Sequence, residues 1–307
     1  MSSYLVLGAS GFLGRHVSEA IAGASRPAEL IGVSRRPPTV QASASQSWIS
    51  MDLNEVSTAD LTALFDATRP DVVVNCVGRV EGTADELRTT NTALVAKLVA
   101  ALGKWGPTPL VHLGSAAEYG AQPLGVAIRE SAVPHPVGIY GRSKLRGTEL
   151  ITEAVARGEI RGTVLRVFNP VGPYTPAGCL AGKAARLLRL AIHSGRSTIM
   201  LGPLGDFRDF VAARDIGEAV FRTIPSIDSH PVLNVGQGVA MSCRVLVELL
   251  ADAAGFEGDV LEGPASSDQT QPVPWQQADL TLLREQLSWV PTTSIAQALA
   301  DLWSSET

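Results

Sequence analysis

The chain has 307 residues, of which 45% are hydrophobic and 18% are charged, and its formal net charge is −5. A chain of this length and composition folds into one large or two modest globular domains without help from disulfides or metal ions. Its acidic balance argues against a nucleic-acid partner.

The N-terminus leads directly into an apolar segment, without the basic region or cleavage site of a signal peptide. No apolar run reaches the roughly 18 residues that a membrane-spanning helix needs. The three cysteines, Cys76, Cys179 and Cys243, are far apart and lack the spacing of metal ligands. We therefore expect a cytoplasmic enzyme or binding protein with no metal and no membrane contact, in which the cysteines are small buried hydrophobic residues.

Short apolar runs alternate with amphipathic stretches through the first half of the chain. The apolar runs predict strands at residues 4–7, 30–33, 48–49, 71–74, 110–113 and 163–167. The amphipathic stretches predict helices from about residue 12, around 61–65, over 85–105 and from about 140. This alternation is typical of βαβ units, and right-handed crossovers then give a doubly wound parallel sheet of the α/β class, a Rossmann fold.

The pattern becomes irregular after Asn169, where a Pro/Gly-rich segment covers residues 169–176. We predict helices at residues 181–193, 213–223, 243–254 and 295–303, and a surface loop at 263–274. The chain is therefore divided into a Rossmann domain at 1–168, to which segments near 209–236 return, and a smaller C-terminal lobe at 169–307 that mainly binds substrate.

A glycine-rich loop of sequence GASGFLG follows the first predicted strand and opens the first predicted helix. A tight turn, a close approach to a pyrophosphate and close helix–strand packing each exclude a Cβ atom. The helix N-terminus then offers backbone N–H groups and a positive dipole end to the phosphates. The alternative is a glycine-rich turn without a ligand. The predicted dinucleotide-binding residues of this loop are Gly8, Ser10, Gly11, Phe12, Leu13 and Gly14.

The second predicted strand ends in Ser34, Arg35 and Arg36. A site for NAD places an acidic residue near this point, to accept hydrogen bonds from the ribose 2′-hydroxyl. A hydroxyl and two guanidinium groups instead suit the 2′-phosphate of NADP, which arginine binds in bidentate fashion. The sequence thus favours NADP(H) over NAD(H), the alternative being two solvated arginines on an exposed turn.

Several further motifs follow in a fixed order. Residues 114–120 read GSAAEYG, 140–144 carry a YxxxK motif, and 166–173 read RVFNPVGP. With the glycine loop, with 208–211 and Asp215, and with 234–236, this order resembles that of the extended short-chain dehydrogenase/reductases. That family contains nucleotide-sugar epimerases, dehydratases and ketoreductases, and the resemblance covers essentially the whole chain.

The resemblance extends the expected cofactor site beyond the glycine loop. It implies an acidic position beside the adenine, a segment after the fourth strand beside the cofactor, and an asparagine in the following helix. The residues so implied are Asp52, Leu53, Cys76, Val77, Gly78, Asn91, Tyr140, Lys144 and Phe168.

The expected catalytic residues are Tyr140, Lys144 and Ser115. Tyr140 and Lys144 are four residues apart and share one face of a helix. A cation beside a phenol favours the phenolate, so Lys144 is expected to lower the pKa of Tyr140. The resemblance gives Lys144 a second task, holding the nicotinamide ribose, and implies that Ser115 hydrogen-bonds the substrate oxygen. The alternative is an exposed amphipathic face.

The serine segment also narrows the reaction. Dehydratases of this family carry an acid two or three residues before the tyrosine of this segment, where the chain has Ala117 and Ala116. Glu118 comes one place too late and is expected to point elsewhere. Fucose-type epimerising reductases carry a cysteine in this segment, and this chain has none there. The chemistry expected is therefore the interconversion of a ketone and an alcohol.

Two reactions of that kind remain. An NADPH-dependent ketoreductase acting on a nucleotide-linked 4-keto-6-deoxy sugar is favoured by the Ser34–Arg35–Arg36 turn. A nucleotide-sugar 4-epimerase with retained NAD is the main alternative. A ketoreductase of another secondary metabolite and a non-catalytic NADP-sensing protein are further alternatives, and the intact Tyr140–Lys144 pair speaks against the last.

The resemblance also places the substrate. Arg208 matches a family diphosphate contact, but it could instead form an ion pair with Asp206, Asp209 or Asp215. The family's second arginine is missing from residues 272–279, where Arg186 or Arg189 could substitute. Trp275 could stack on a base, although a place in the lobe's core is favoured. The expected substrate residues are Ser115, Ala116, Ala117, Asn169, Arg208 and Trp275.

The helices at 85–105 and 140–156 correspond to those through which family members often pair. Their apolar residues are compatible with a four-helix interface or with packing on the sheet alone. We predict a homodimer.

Overall fold

The computed structural model describes residues 2–24, 28–36, 46–264 and 273–305. Its first half contains β1 (Ser2–Leu7), α1 (Phe12–Ala22), β2 (Ala28–Ser34), β3 (Gln46–Ser50), α2 (Thr58–Thr68), β4 (Val72–Asn75), α3 (Ala84–Arg88), α4 (Leu94–Trp105), β5 (Leu110–Ser115), α5 (Ile139–Ala156) and β6 (Gly162–Val167). A π-helical turn, Thr89–Ala93, joins α3 to α4. Every strand and helix predicted for this half is confirmed.

The second half contains β7 (Asn169–Val171), α6 (Leu180–His193), β8 (Thr198–Leu201), β9 (Phe207–Ala212), α7 (Ala213–Thr223), β10 (Val232–Val235), β11 (Ala240–Ser242), α8 (Cys243–Ala253), β12 (Asp259–Glu262), α9 (Thr281–Leu287) and α10 (Ile295–Ser304). The four predicted helices are confirmed, whereas the sequence did not indicate α9 or most of the short strands. Residues 265–272 of the predicted loop at 263–274 lie outside the described residues.

The large sheet has seven strands in the order β10-β6-β5-β4-β1-β2-β3. Its neighbouring strands are all parallel. The winding reverses between β1 and β4, and ligands of doubly wound sheets bind in the crevice at the carboxyl ends of the strands at such a reversal. The predicted Rossmann fold is therefore confirmed.

Alternate residues of β1 enter different apolar cores, one on each face of the sheet. Val6 packs with Val17 of α1 and Ile216 of α7. Leu5 packs with Leu98 of α4 and with α2 and α5 residues on the opposite face. Burying side chains of this kind stabilises the fold by about 1.5–3 kcal/mol each. Burial on both faces explains why these strands appear as continuous apolar runs.

The second half of the chain contributes both to the large sheet with its covering helices and to a separate apolar core. α7 packs on α1, and β10 extends the large sheet beside β6. A third apolar core joins α6, α8 and α10 through Leu188, Leu246 and Leu299. Two small sheets, ordered β11-β9-β7 and β12-β8, border this core. The division at residue 168 remains a prediction.

Within the described ranges, no helix combines the length and apolarity that crossing a membrane would require.

Candidate active site

The glycine loop packs as a cradle that side chains would fill. Gly8 has a φ of 78°, in the left-handed region that favours glycine. A Cβ on Gly14 would lie 2.1 Å from the Gly8 carbonyl oxygen. A Cβ on Gly8 would lie 3.0 Å from Cγ2 of Val77, in the loop after β4. These glycines therefore let the loop, α1 and the neighbouring strand approach each other closely.

Helix α1 begins just beyond this loop with its N-terminus unoccupied by side chains. Gly11 is the N-cap residue, and within the described helix the first turn contains no acidic side chain. Backbone N–H groups and the positive end of the helix dipole thus remain for an anion. The cradle and the helix end fit the pyrophosphate of a dinucleotide.

A cleft of about 910 Å³ opens beside this loop. Its lining brings together four segments that the sequence associated with a cofactor: the glycine loop, the turn after β2, the segment after β3 and the loop after β4. The predicted residues that line it are Gly8, Ser10, Gly11, Ser34, Arg35, Arg36, Asp52, Leu53, Cys76, Val77 and Gly78.

Three predicted cofactor residues, Phe12, Leu13 and Phe168, pack against other side chains of the protein. The Phe12 ring packs on His16 of its own helix, with ring centroids 5.9 Å apart, and Leu13 packs against the core. Phe168 is 1% exposed in that core, where its ring lies 6.3 Å from that of Tyr119. The Phe168 ring is therefore enclosed by apolar neighbours, and the part of Phe168 in the cofactor site stays a prediction.

The turn after β2 presents two arginines to the cleft. Ser34 donates its hydroxyl hydrogen to the Arg36 carbonyl oxygen at 2.9 Å. The sequence suggested that this hydroxyl binds a phosphate. In the structure its proton is instead donated within the turn. Arg35 and Arg36 are exposed, and neither forms a salt bridge within the described part of the chain. The arginines remain the candidates for a 2′-phosphate.

Asp52 and Leu53 follow β3 at the edge of the cleft. The exposed Asp52 carboxylate accepts a hydrogen bond from the Asn54 backbone N–H at 3.1 Å. The Leu53 side chain is buried, and the Asn54 side chain accepts a hydrogen bond from Thr90 at 3.0 Å. These contacts fix the shape of the segment that the family associates with the adenine.

Asn91 lies in the π-helical turn and holds the loop after β4. Its Oδ1 accepts from the Arg79 backbone N–H at 2.9 Å, and its Nδ2 donates to the Arg79 carbonyl at 2.8 Å. Nδ2 also donates to Ser143 Oγ, on α5, at 2.9 Å. Asn91 thus ties the loop after β4 to α5, the helix that contains Tyr140 and Lys144.

Ser115 ends β5 and caps the short 3₁₀ turn that follows. Its Oγ accepts a hydrogen bond from the Ala117 backbone N–H at 3.2 Å, so its own hydroxyl proton stays available for another acceptor. A Cβ on Gly141 would lie 2.5 Å from the Ala117 carbonyl oxygen. The lack of a side chain at Gly141 therefore lets the first turn of α5 bring Tyr140 against the serine segment.

Tyr140 is held as a phenol. Burial raises its pKa to about 12, the nearby Ser115 hydroxyl partly opposes this rise, and the charge of Glu118 reinforces it. The expectation that Lys144 lowers the pKa of Tyr140 is therefore wrong for this structure, because desolvation of the phenolate outweighs the favourable interactions. Tyr140 is therefore protonated at neutral pH, as an ordinary tyrosine is.

Lys144 is buried one helical turn beyond Tyr140. Its ammonium donates a hydrogen bond to the Leu113 carbonyl oxygen of β5 at 2.5 Å. Burial lowers its pKa to about 8, against the opposing effects of Glu118 and Cys76. The ammonium is thus anchored beside the cleft, between the strand end and the loop after β4.

Glu118 is turned away from the cleft, as the sequence predicted. Its carboxylate accepts hydrogen bonds from the Ser115 backbone N–H and from Arg166 Nε, each at 2.8 Å. Because both carboxylate oxygens are engaged, Glu118 does not supply the acid that a dehydration would need.

The substrate residues around β9 form one connected group. Asn169 donates to the Asp209 carbonyl oxygen at 3.0 Å. Arg208 forms an ion pair with Asp206 at 2.9 Å and donates to the Phe207 carbonyl at 2.9 Å. The ion pair considered as the alternative for Arg208 is therefore present, although an arginine has five N–H donors and these contacts leave some unused.

Trp275 does not occupy the lobe's core, contrary to the favoured expectation. It is half-buried, its Nε1 donates to the Val126 carbonyl at 3.0 Å, and its ring lies 5.6 Å from that of Phe207. The indole N–H finds its polar partner in a surface loop, and this partner holds the ring at the lobe edge.

Three further residues bear on the missing arginine of the family: Gln276, in the segment that lacks it, and Arg186 and Arg189, which were expected to substitute for it. Gln276 is buried and donates to the Ala116 carbonyl at 3.3 Å, a contact that no local pattern in the sequence indicated. Arg189 donates to the Leu302 and Trp303 carbonyls at the end of α10, so it serves the helix terminus. Arg186 is exposed.

Two of the cysteines, Cys76 and Cys179, are only partly buried. Cys76 lines the cofactor cleft, and Cys179 is the N-cap residue of α6 and is close enough to raise the pKa of Tyr140. Only Cys243 is fully buried. The expectation of buried cysteines is thus wrong for Cys76 and Cys179, and Cys179 is a site neighbour that the sequence did not reveal.

Comparison with known proteins identifies the family. Residues 4–236 match the NAD dependent epimerase/dehydratase family. The chain belongs to this family, which confirms the resemblance to extended short-chain dehydrogenase/reductases and makes the protein an NAD(P)-dependent enzyme.

Individual relatives align over nearly the whole chain. The chain is 37% identical to a dTDP-6-deoxy-L-talose 4-dehydrogenase (NAD(P)(+)) from Kitasatospora kifunensis, over 98% of this chain and 94% of that protein. It is 28% identical to a GDP-6-deoxy-D-mannose reductase from Pseudomonas aeruginosa, over 97% and 95%. The structure of RMD from Pseudomonas aeruginosa complexed with NADPH superposes with a TM-score of 0.82 and 25% identity, over 99% and 98%.

Proposed function

We propose that this enzyme is an NADPH-dependent ketoreductase that reduces the keto group of a nucleotide-linked 4-keto-6-deoxy sugar. The observation that carries the proposal is the position of Tyr140, a phenol one helical turn from the buried Lys144 ammonium that donates to the Leu113 carbonyl oxygen. Tyr140 lies against Ser115, in a segment whose acid, Glu118, is engaged with Arg166. Such a site is equipped to protonate an oxygen, and its serine segment offers no acid for eliminating water. The names of the talose dehydrogenase and the deoxymannose reductase support this choice of substrate class.

The chain's own residues divide the reduction between them. When bound, the dinucleotide supplies a hydride to the carbonyl carbon. As the carbonyl electron pair moves onto oxygen, Ser115 donates a hydrogen bond to that oxygen, and Tyr140 gives it the phenolic proton. The product is an alcohol, and solvent returns a proton to the tyrosine. Lys144, anchored to the Leu113 carbonyl oxygen, would hold the nicotinamide ribose.

The preference for NADPH rests on Arg35 and Arg36. Both line the cleft at the end of β2, where enzymes that use NAD place an acid. Two guanidinium groups favour a 2′-phosphate through charge-assisted hydrogen bonds. Ser34 contributes indirectly, because its bond to the Arg36 carbonyl shapes the turn.

We place the nucleotide of the substrate along β9. Arg208 retains unused N–H donors for a diphosphate, and the Phe207–Trp275 pair offers partly exposed rings for stacking with a base. Asn169 and Gln276 connect this edge to β9 and to the Ala116 carbonyl. The substrate would thus reach from the lobe edge toward Tyr140.

The proposal is tested by following NADPH absorbance with a dTDP-linked 4-keto-6-deoxy sugar. We expect NADPH to be consumed in proportion to the alcohol formed, with little consumption by Tyr140→Phe. Tyr4→Phe is the matched control, because Tyr4 lies in the core packed on Phe221. Tight NADPH binding without consumption would contradict the proposal. Purified protein that retains stoichiometric NAD(H) after dialysis, and interconverts 4-epimers, would instead identify a 4-epimerase.

A further inference from the structure

An ion pair lies buried directly behind the catalytic serine. Glu118 is 0% and Arg166 5% exposed at their side chains. One carboxylate oxygen of Glu118 accepts from the Ser115 backbone N–H at 2.8 Å, and the other accepts from Arg166 Nε at 2.8 Å. A Cβ on Gly114 would lie 2.8 Å from the Glu118 carboxylate. The strand end is thus shaped to admit this carboxylate.

Arg166 continues the arrangement into the sheet. It stands in β6, and its guanidinium lies 4.5 Å above the Tyr119 ring. The Tyr119 hydroxyl donates to Asn234 Oδ1, on β10, at 2.7 Å. Glu130 in turn accepts from the Asn234 backbone N–H at 2.8 Å. The serine segment is thereby tied to β6 and β10 through a continuous series of polar contacts.

Stability alone is a weak explanation for such a pair. Removing two charges from water costs several kcal/mol for each ion, and well-packed apolar replacements are often as stable. The carboxylate does two things that an apolar side chain could not do. It holds the Ser115 backbone, and it places a negative charge behind the catalytic groups.

We propose that Glu118, held by Arg166, is a positioning residue of the catalytic centre, which fixes the Ser115 backbone and holds a negative charge behind the catalytic groups. This inference rests on the proposed role of Tyr140 as proton donor. In agreement with it, the charge of Glu118 raises the pKa of both Tyr140 and Lys144. Removing the charge should therefore lower both pKa values.

Other groups that face Tyr140 also act on it. Ser115 lowers the pKa of the phenol through a hydrogen bond, and Cys179 raises it through charge. Because Ser115 is itself held by Glu118, a shift in the titration of Tyr140 in the double variant reports both the lost charge and any movement of Ser115. Glu118→Asp keeps the charge and thus separates the two effects.

The test uses the double variant Glu118→Gln/Arg166→Met, which removes both charges and leaves neither partner buried alone. Glu118→Asp retains the charge but withdraws it from the Ser115 backbone. Glu149→Gln is the matched control, because Glu149 lies on α5 in an exposed pair with Arg146. Circular dichroism and thermal unfolding establish that each variant is folded.

The first readout is the titration of tyrosine labelled with ¹³C at Cζ, followed by NMR. The chain has only four tyrosines, and Tyr140→Phe assigns the signal of Tyr140. We expect Tyr140 to remain a phenol beyond pH 10, about where an ordinary tyrosine titrates, in the wild type and in Glu149→Gln. In the folded double variant it should titrate at lower pH. An unchanged titration there would overturn the inference.

The second readout is the pH dependence of kcat with the keto sugar. We expect kcat to fall at least about tenfold in the double variant, as for the loss of one group that stabilises a transition state, with its alkaline limb at lower pH. In Glu118→Asp, we expect the pH of the alkaline limb to stay close to the wild-type value while kcat falls. Wild-type kcat and pH profile in the double variant would refute the inference while leaving the proposed function intact. A shifted Tyr140 titration without any turnover by the wild type would refute the proposed function alone.

Discussion

Gly141 of α5 touches the serine segment so closely that a Cβ there would lie 2.5 Å from the Ala117 carbonyl oxygen. This contact sets the distance between Ser115 and Tyr140, because Ser115 lies two residues before Ala117 and Tyr140 directly precedes Gly141. We expect Gly141→Ala to reduce kcat at least about tenfold, because a small misplacement of catalytic groups is costly. NADPH affinity should change little.

The control for this change is Gly103→Ala, on α4. The atom nearest to a Cβ at this position is 3.7 Å away, an ordinary contact, and alanine is a better helix former than glycine by up to about 1 kcal/mol. Gly103→Ala should therefore keep wild-type kcat. Wild-type kcat in Gly141→Ala as well would show that the contact does not set the catalytic geometry.

Replacing Arg35 tests the cofactor preference. We expect Arg35→Asp to weaken NADPH binding by at least about tenfold, because a carboxylate repels the 2′-phosphate, and to improve NADH binding through the ribose hydroxyls. Dissociation constants from tryptophan fluorescence quenching measure both effects. Arg196→Asp, at an exposed position after α6, controls for net charge. Unchanged affinities for both dinucleotides in Arg35→Asp would contradict the assignment.

The affinity for NADPH should depend on pH through Lys144. The pKa of Lys144 is lowered to about 8 by burial, so its ammonium is charged below that pH and neutral above it. Since a charged Lys144 would hold the nicotinamide ribose, we expect NADPH binding to weaken as pH rises through about 8. Lys144→Met should bind NADPH more weakly and lose this dependence. A wild-type affinity that is flat across this range would rule out the ammonium as a ribose contact.

Asn91 should affect the cofactor loop rather than the chemistry. Asn91→Ala removes three hydrogen bonds to Arg79 and Ser143, and buried polar groups left without partners cost about 1–3 kcal/mol. We expect a lower free energy of unfolding in urea and a raised KM for NADPH. Equal stability and an unchanged KM would mean that the loop is held by other contacts.

We also propose that the protein is a homodimer. α4 and α5 pack beside each other and correspond to the helices through which the family often pairs. Light scattering at micromolar concentration should give twice the chain mass of 32.2 kDa. A monomeric mass would refute the proposal.

The regular part of the fold could be predicted because its signals are local. Leu5 and Val6 lie in a run of apolar residues that marks a strand buried on both faces. Glycines such as Gly8 mark a turn at which side chains are excluded. The helix that carries Tyr140 and Lys144 was indicated by their spacing and by the family motif. Ser115 joined them because it follows its own apolar strand.

The features that sequence reasoning missed depend on contacts between distant segments. Gln276 reaches the Ala116 carbonyl, and Cys179 approaches Tyr140, from positions far along the chain. The pKa of Tyr140 was misjudged because burial, which the sequence does not display, raises it. Trp275 was misplaced because its N–H finds the Val126 carbonyl in another loop. The short strands of the lobe lack enough residues for a periodic pattern.

The central claim is that Tyr140 protonates the carbonyl oxygen of a keto sugar while a hydride from NADPH reaches its carbon 4, which gives the alcohol. The most direct test is reduction of a dTDP-linked 4-keto-6-deoxy sugar with NADPH deuterated at C4 of the nicotinamide, with the product examined by mass spectrometry and NMR. We expect one deuterium at sugar carbon 4 in the wild-type product, and no product from Tyr140→Phe. Deuterium at another carbon, or a product formed equally well by Tyr140→Phe, would contradict it.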